Sequence, residues 1–150
     1  LVVLPHAGIE DVIVPLPEWR VRYKEFIDLG ADVVIASHPH TPQGWEEYNG
    51  KMILYSLGNF SFGANRNPAD KDTVVYQQTF TFVDGELQSD IDAKIIPARL
   101  SGHDNYNDYQ PAVATEAQAS VIIQRMNEYS KPYSGVYFDE QGQLIVPEKN

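Results

Sequence analysis

The feature that most constrains the fold is a pair of short apolar runs separated by one helical segment. Residues 1–4 (Leu-Val-Val-Leu) and 32–36 (Asp-Val-Val-Ile-Ala) each predict a strand buried on both faces. Between them, apolar residues recur at helical spacing from Pro17 to Leu29, and Gly30 is suited to stop a helix. A strand, a helix and a strand in this order predict a right-handed parallel crossover.

The rest of the chain predicts antiparallel hairpins and a second helix. Asn-Gly and Asp-Gly pairs indicate tight two-residue turns, because these residues tolerate positive φ. Thr115 to Gln118 has the form of a capping box, so a helix is predicted from there to about residue 129. Hairpins are predicted over residues 45–56 around Asn49-Gly50, 73–96 around Asp84-Gly85 and 136–146 around Gly142. The aromatic residues expected in the core are Trp19, Tyr76, Phe80 and Phe82.

The chain is acidic and contains no cysteine. The charge excludes certain partners, and the absence of cysteine excludes thiolate metal sites. Its formal net charge of −10 argues against a nucleic-acid backbone or an anionic membrane surface. No apolar run approaches the ~18 residues that cross a bilayer, and the chain opens inside an apolar run, so we expect a fragment of a longer domain. Without thiolates, a metal site would use His, Asp, Glu or Asn, which suit Zn, Mn, Fe or Mg.

Three histidines follow the two predicted parallel strands. His6 comes directly after the first strand, and His38 and His40 come directly after the second. Because ligands gather at the carboxyl ends of such strands, we expect the three imidazoles at one edge of the sheet. Pro39 stiffens the turn between the last two, and Glu10 is near enough in sequence to add a carboxylate. A His-x-His pair is also typical of a polar surface turn, so the residues alone leave both interpretations open.

Three motifs occur in order within residues 1–62. The first is His6-Ala7-Gly8-Ile9-Glu10, the second joins Gly30-Ala31-Asp32 to His38-Pro39-His40, and the third is Tyr-Ser-Leu-Gly-Asn-Phe at residues 55–60. Together they resemble the CapA family of poly-γ-glutamate capsule biosynthesis proteins. That family has an aromatic residue where Ala7 stands and a glycine where Ser37 stands, and both departures loosen any statement about substrate fit.

The CapA family is in turn similar to calcineurin-like metallophosphoesterases. The resemblance therefore implies an α/β fold, the C-terminal part of a layered metallophosphoesterase-like sandwich with parallel strands followed by antiparallel hairpins. It implies that His6, His38 and His40 are ligands of a divalent metal (Mn, Zn, Fe or Mg). Glu10 is then a catalytic residue, as ligand or as acid and base, and Asn59 shapes the pocket. The early Asp-x-His, Gly-Asp and Asn-His elements of such enzymes are not in this sequence, so the metal site is expected to be incomplete.

The resemblance also implies a role and partners. We expect a protein of poly-γ-glutamate capsule synthesis or export, outside the cytoplasm or at the bacterial cell surface, with metal-dependent hydrolysis in the whole protein. The alternatives are a non-catalytic anchoring or binding component of a capsule complex and a generic metallophosphoesterase. Residues 1–100 are predicted as the C-terminal half of the domain, and 101–150 as an extension with one helix and a small hairpin packed on it. Expected partners are the missing N-terminal half, the polymer or capsule machinery, and a second copy of the chain, but no nucleic acid.

Overall fold

The first part of the chain forms a four-stranded sheet with the order β1-β2-β4-β3. The structure, a computed structural model, describes residues 1–147. The strands are β1 (Val2–Val3), β2 (Val33–Ile35), β3 (Trp45–Tyr48) and β4 (Lys51–Leu54), and α1 (Pro17–Asp28) connects the first two. β2 is parallel to β1 and to β4, whereas β3 and β4 are antiparallel. The predicted crossover and the predicted turn are thus both present, with φ of 52° at Asn49 and 72° at Gly50.

A second, antiparallel sheet follows, with the order β5-β8-β9. Its strands are β5 (Asp72–Thr79), β8 (Asp92–Arg99) and β9 (Ala112–Val113). The short strands β6 (Phe82–Val83) and β7 (Glu86–Leu87) pair with each other at the tip between β5 and β8. The chain continues with α2 (Glu116–Ser130), which begins with the predicted capping box at Thr115 and Gln118. The last hairpin joins β10 (Tyr137–Phe138) to β11 (Leu144–Ile145).

The long hairpin predicted over residues 73–96 is divided into two ladders. Thr79 pairs with Asp92, whereas Phe82 pairs with Leu87, so residues 80–81 lie opposite the longer segment 88–91. This mismatch interrupts the pairing and carries the tip away from the core. Phe82 is consequently 62% exposed, and the expectation that it belongs to the core was wrong.

The first sheet carries a hydrophobic cluster on each face. On one face α1 packs through Tyr23 and Ile27 against Val34, Ile53 and Tyr55. The other face is covered by α2 and the second sheet, in a cluster that includes Val33, Trp45, Met52, Leu54, Val74, Ile95, Ile122, Ile123 and Met126. The predicted α/β fold class is therefore confirmed, and the mixture of parallel and antiparallel strands is consistent with a metallophosphoesterase-like sandwich.

The burial predicted for residues 1–4 is not found. Leu1 is 71% exposed, Leu4 70% and Val2 49%, because β1 is the outer strand and the cluster on the face of Val2 draws on β2, β3 and β4. Only Val3, on the α1 side, packs against a core cluster.

The predicted division of the chain at residue 100 stays a prediction, and residues 148–150 of the predicted extension lie outside the described residues. Within that extension α2 packs on β3 and β8. No helix of residues 1–147 combines the length and the apolar character needed to cross a membrane.

Candidate metal centre

Backbone hydrogen bonds hold the turns after β1 and β2 side by side. The amide of Ser37 donates to the carbonyl of Pro5, and the amide of Ala7 donates to the carbonyl of Ser37, each at 3.0 Å. These bonds form a parallel bridge between His6 and Ser37, which extends the pairing of β1 and β2 beyond the strands themselves. The pairing of the two strands therefore places His6 next to the His-Pro-His turn.

The His-Pro-His turn has an unusual backbone. His38 has φ of 111° and His40 has φ of 61°, in a region that residues with a side chain seldom occupy. The segment after His6 wraps around this turn, since the amide of Asp11 donates to the carbonyl of Pro39 at 2.8 Å. Gly8, with φ of 136°, lies against the Pro39 ring. Such local strain is typical of sites where side-chain direction matters more than stability.

The structure places the three histidine rings together. His6 Nε2 and His38 Nδ1 are 3.2 Å apart, with ring centroids separated by 4.9 Å. The centroids of His38 and His40 are 5.7 Å apart. The Nδ1 atom of His6 lies 3.0 Å from the Ser37 hydroxyl, and when it donates a proton there, Nε2 keeps the lone pair that a metal ligand needs.

Asn59 fixes the tautomer of His40. Its Nδ2 donates to the carbonyl of His40 at 3.0 Å, which orients the amide and leaves Oδ1 facing His40 Nδ1 at 2.8 Å. An amide oxygen can only accept, so His40 carries its proton on Nδ1, and the lone pair is on Nε2. That Nε2 lies 4.0 Å from the Glu10 carboxylate. A metal-binding histidine is held in the same way, by donating its other ring N–H to an oxygen.

His40 opens into a cleft of about 410 Å³ beside Glu10, Asp11, Asn59 and Asp70. Phe62 supplies an apolar wall, with its ring centroid 4.6 Å from that of His40. Glu10 is at the mouth of the cleft, with 65% of its side chain exposed. Two features of the site were missed in the sequence. In the sequence, Ser37 differs from the glycine of the resembled family, which gives no sign of its contact with His6, and Phe62 follows the third motif without any spacing signal of its own.

The donor set fits a metal ion in part. The 3.2 Å between His6 Nε2 and His38 Nδ1 is the length of a hydrogen bond between the two rings. It is also close to the roughly 3.3–3.4 Å between two imidazole nitrogens bound tetrahedrally to one Zn at ~2.0–2.1 Å. His40 Nε2 instead lies 4.0 Å from the Glu10 carboxylate. Within residues 1–147, no group of three or more His, Asp or Glu side chains is arranged to hold an ion. The roles of His6, His38, His40, Glu10 and Asn59 therefore stay predictions.

The fold and the site define a class: an α/β protein with histidines clustered at the ends of neighbouring parallel strands. Residues 1–64 match the family described as Bacterial capsule synthesis protein PGA_cap. The match covers the segment that carries the three motifs, and it confirms the resemblance to that family over these residues.

Similar curated proteins come from several bacteria. The chain is 40% identical over 62 residues to "Capsule biosynthesis protein CapA" of Bacillus anthracis, a match covering 41% of this chain and 15% of that protein. It is 42% identical over 62 residues to "PGA biosynthesis protein CapA" of Bacillus subtilis (strain 168), covering 41% and 16%. "Uncharacterized protein y4sH" of Sinorhizobium fredii is 35% identical over 75 residues, covering 50% and 15%. The chain thus spans about 15% of the length of these relatives.

Proposed function

We propose that this chain forms part of a divalent-metal site in a protein of poly-γ-glutamate capsule synthesis at the cell envelope. The observation that carries the proposal is the facing pair of His6 Nε2 and His38 Nδ1, which lies inside the segment matched by the capsule synthesis family. Relatives named for capsule biosynthesis and PGA biosynthesis match over the same part of the chain.

The side chains divide into two groups around the turn. His6 and His38 would bind one ion together. His40, held by Asn59, would bind a second ion beside Glu10 through the lone pair of Nε2. A bound divalent ion would lower the pKa of a bound water and stabilise developing charge during hydrolysis. Glu10 is exposed enough to turn towards a substrate and to accept a proton there.

The acidic residues of the cleft indicate why binding of the proposed polymer would require a metal ion. Glu10, Asp11 and Asp70 line the cleft beside His40, and within residues 1–147 no Lys or Arg lines it. An acidic polymer is repelled by such a surface at short range. Divalent ions at the histidines would reverse the sign of the local field, so we expect metal and polymer to bind together.

The missing part of the site is expected on a neighbouring strand. The outer edge of β1 has free backbone groups in the described structure, next to His6. A preceding segment of the same domain that pairs there would bring its own side chains to the same edge of the sheet. Further metal ligands from that segment would complete the site.

Metal titration of the 150-residue chain tests the proposal. The ring signals of His6, His38 and His40 in NMR spectra should shift together with Zn and broaden together with Mn, with weak affinity because the ligand set is partial. His6→Ala and His38→Ala should each weaken binding by about ten-fold or more. His103→Ala, a change at an exposed loop histidine, is the control and should have no effect. Unchanged affinity in the His6 and His38 variants would overturn the proposed metal site.

Two ligands separate the alternatives. In the presence of Mn or Zn, the chain should bind a γ-linked glutamate oligomer more tightly than in the presence of chelator. Binding of the oligomer without cleavage, in a complex that also holds the preceding segment, would favour a non-catalytic component of a capsule complex. Cleavage of a phosphoester without any binding of the oligomer would favour a generic metallophosphoesterase and contradict the capsule proposal.

A further inference from the structure

One wall of the His40 cleft is a loop without helix or strand. We call residues 62–70 the wall loop. It begins with Phe62, whose ring packs against His40, and ends with Asp70, and both residues line the cleft. The position of this loop therefore decides the width of the cleft and what lies against the imidazole.

The beginning of the wall loop is held from outside the family-matched segment. Asn107 lies in the loop between β8 and β9 and is only 2% exposed. Its Nδ2 donates to the carbonyl of Phe62 at 2.7 Å and to the carbonyl of Asn65 at 3.2 Å. Its backbone amide donates to the carbonyl of Arg66 at 2.6 Å. One residue thus satisfies three carbonyls of a segment that has no ladder of its own.

The chemistry of these contacts requires an amide. Both hydrogens of the Asn107 amide are donated to the wall loop, and Oδ1 accepts from the amide of Tyr109 at 2.8 Å. A carboxylate of the same shape would place a negative oxygen against two carbonyl oxygens in a buried position. Asn107→Asp therefore removes the two side-chain contacts with almost no change of volume, and it keeps the backbone bond to Arg66.

The other end of the wall loop has separate anchors. Asp70 accepts from the Thr41 hydroxyl at 2.5 Å, and its carboxylate lies 3.3 Å from the guanidinium of Arg125 on α2. Thr41 directly follows His40 in the chain. Loss of the Asn107 side-chain contacts should therefore release the segment from Phe62 to Asn65 and loosen Arg66 beside it, while Asp70 remains in place.

We propose that Asn107 is a positioning residue of the His40 cleft, which it acts on through Phe62 and the wall loop. Residues beyond the segment matched by the family then set what the cleft accepts. The inference rests on the proposed function in one respect only, that the cleft is the working site, and the contacts of the loop can be tested without any metal.

Limited trypsin digestion of the complete chain tests the inference, because Arg66 is an exposed residue in the middle of the wall loop. In Asn107→Asp, cleavage after Arg66 should accelerate by about ten-fold or more, since local opening governs such cleavage and a buried hydrogen-bonded amide is lost. The His40 ring signals in NMR spectra should move as the Phe62 ring withdraws, while those of His6 and His38 stay in place. Asn105→Asp is the matched control, because Asn105 is an exposed residue in the loop between β8 and β9 that also holds Asn107.

Several results would overturn the inference. Cleavage at Arg66 and His40 signals unchanged from the wild type would show that Asn107 does not hold the wall. Equal acceleration at every trypsin site would show a general loss of stability instead. If the variant fails to fold, hydrogen exchange of the wild type decides, because rapid exchange of the Asn107 amide would contradict its bond to Arg66. Absence of metal binding in the wild type would refute the proposed function and leave these readouts intact.

Discussion

At the scale of single residues, the site depends on backbone conformations that few residues other than glycine adopt. His38 and His40 both have positive φ, and Pro39 between them packs against Gly8. Conformations of this kind cost about 1–3 kcal/mol each and persist only when their surroundings hold them. Here the surroundings are the bridge from His6 to Ser37 and the bond from Asp11 to Pro39.

Gly8→Ala should therefore damage the site more than an ordinary loop substitution would. A Cβ at Gly8 would meet the Pro39 ring at 3.0 Å, and φ of 136° is unfavourable for alanine. We expect a loss of about 1–3 kcal/mol in the free energy of unfolding. Urea unfolding measures the loss, and changed ring signals of His6 and His38 should accompany it. Gly63→Ala is the control, since nothing lies within 4 Å of its Cβ position; equal effects of the two changes would contradict the prediction.

The sequence predicts where the histidines lie but not how they are held. Their clustering follows from the position of His6 and His38 at the ends of two apolar runs, because neighbouring parallel strands end at one edge. No pattern in the sequence indicates the positive φ of His38, because positive φ is usually predicted from a glycine or an asparagine at the position. The link from Asn107 to the cleft is a contact between loops distant in sequence, which no local pattern encodes.

At the scale of elements, α1 is fastened to β3 by a buried carboxylate. Glu46 lies 2.9 Å from the guanidinium of Arg20 and 2.6 Å from the ammonium of Lys24, and it accepts from the Tyr55 hydroxyl at 2.7 Å. Burial opposes ionisation of Glu46, but the hydrogen bonds from Lys24, Tyr55 and Arg20 together hold its pKa below the ordinary value of 4.5. The helix and the sheet are therefore joined by charge as well as by apolar contact.

This carboxylate should make stability depend on pH. Because the pKa of Glu46 is lower in the folded chain than in the unfolded chain, its contribution is complete above about pH 4.5 and is lost as the pH falls through the folded value. Glu46→Gln should cost about 2–3 kcal/mol at neutral pH and should flatten the acid part of the stability curve. Unfolding by urea from pH 3 to 7 measures both effects. The exposed Glu25→Gln on α1 is the control, and parallel curves for Glu46→Gln and the wild type below pH 4.5 would contradict the prediction.

The elements themselves were largely predictable because turn and cap chemistry is local. The Asn49-Gly50 turn, the capping box at Thr115 and the start of α1 at Pro17 all occur as predicted. The interruption between β5 and β6 was not predicted, because it depends on how far the core extends beneath the hairpin. Glu46 was likewise missed, since a carboxylate in a strand next to Glu47 gives no sign that two cations of α1 cover it.

At the scale of the whole molecule, the core is complete over β2, β3 and β4 but not over β1. Val2 is paired with Val33 and lies on the same face, and that face is covered at Val33 and open at Val2. Leu4 continues the exposed apolar surface, and the outer edge of β1 has free backbone groups in the described structure. An edge strand with exposed apolar residues is a template for another strand.

The 150-residue chain should therefore self-associate through β1 when no preceding segment covers it. Sedimentation velocity should show a sedimentation coefficient that rises with protein concentration, and more steeply as added salt screens the net charge of −10. Leu4→Lys places a charge beside the free edge and should weaken association by about ten-fold or more. Val121→Lys alters another exposed apolar residue, on α2, and should leave association unchanged. A monomer at all concentrations, or equal responses of the two variants, would show that β1 does not mediate contact between copies.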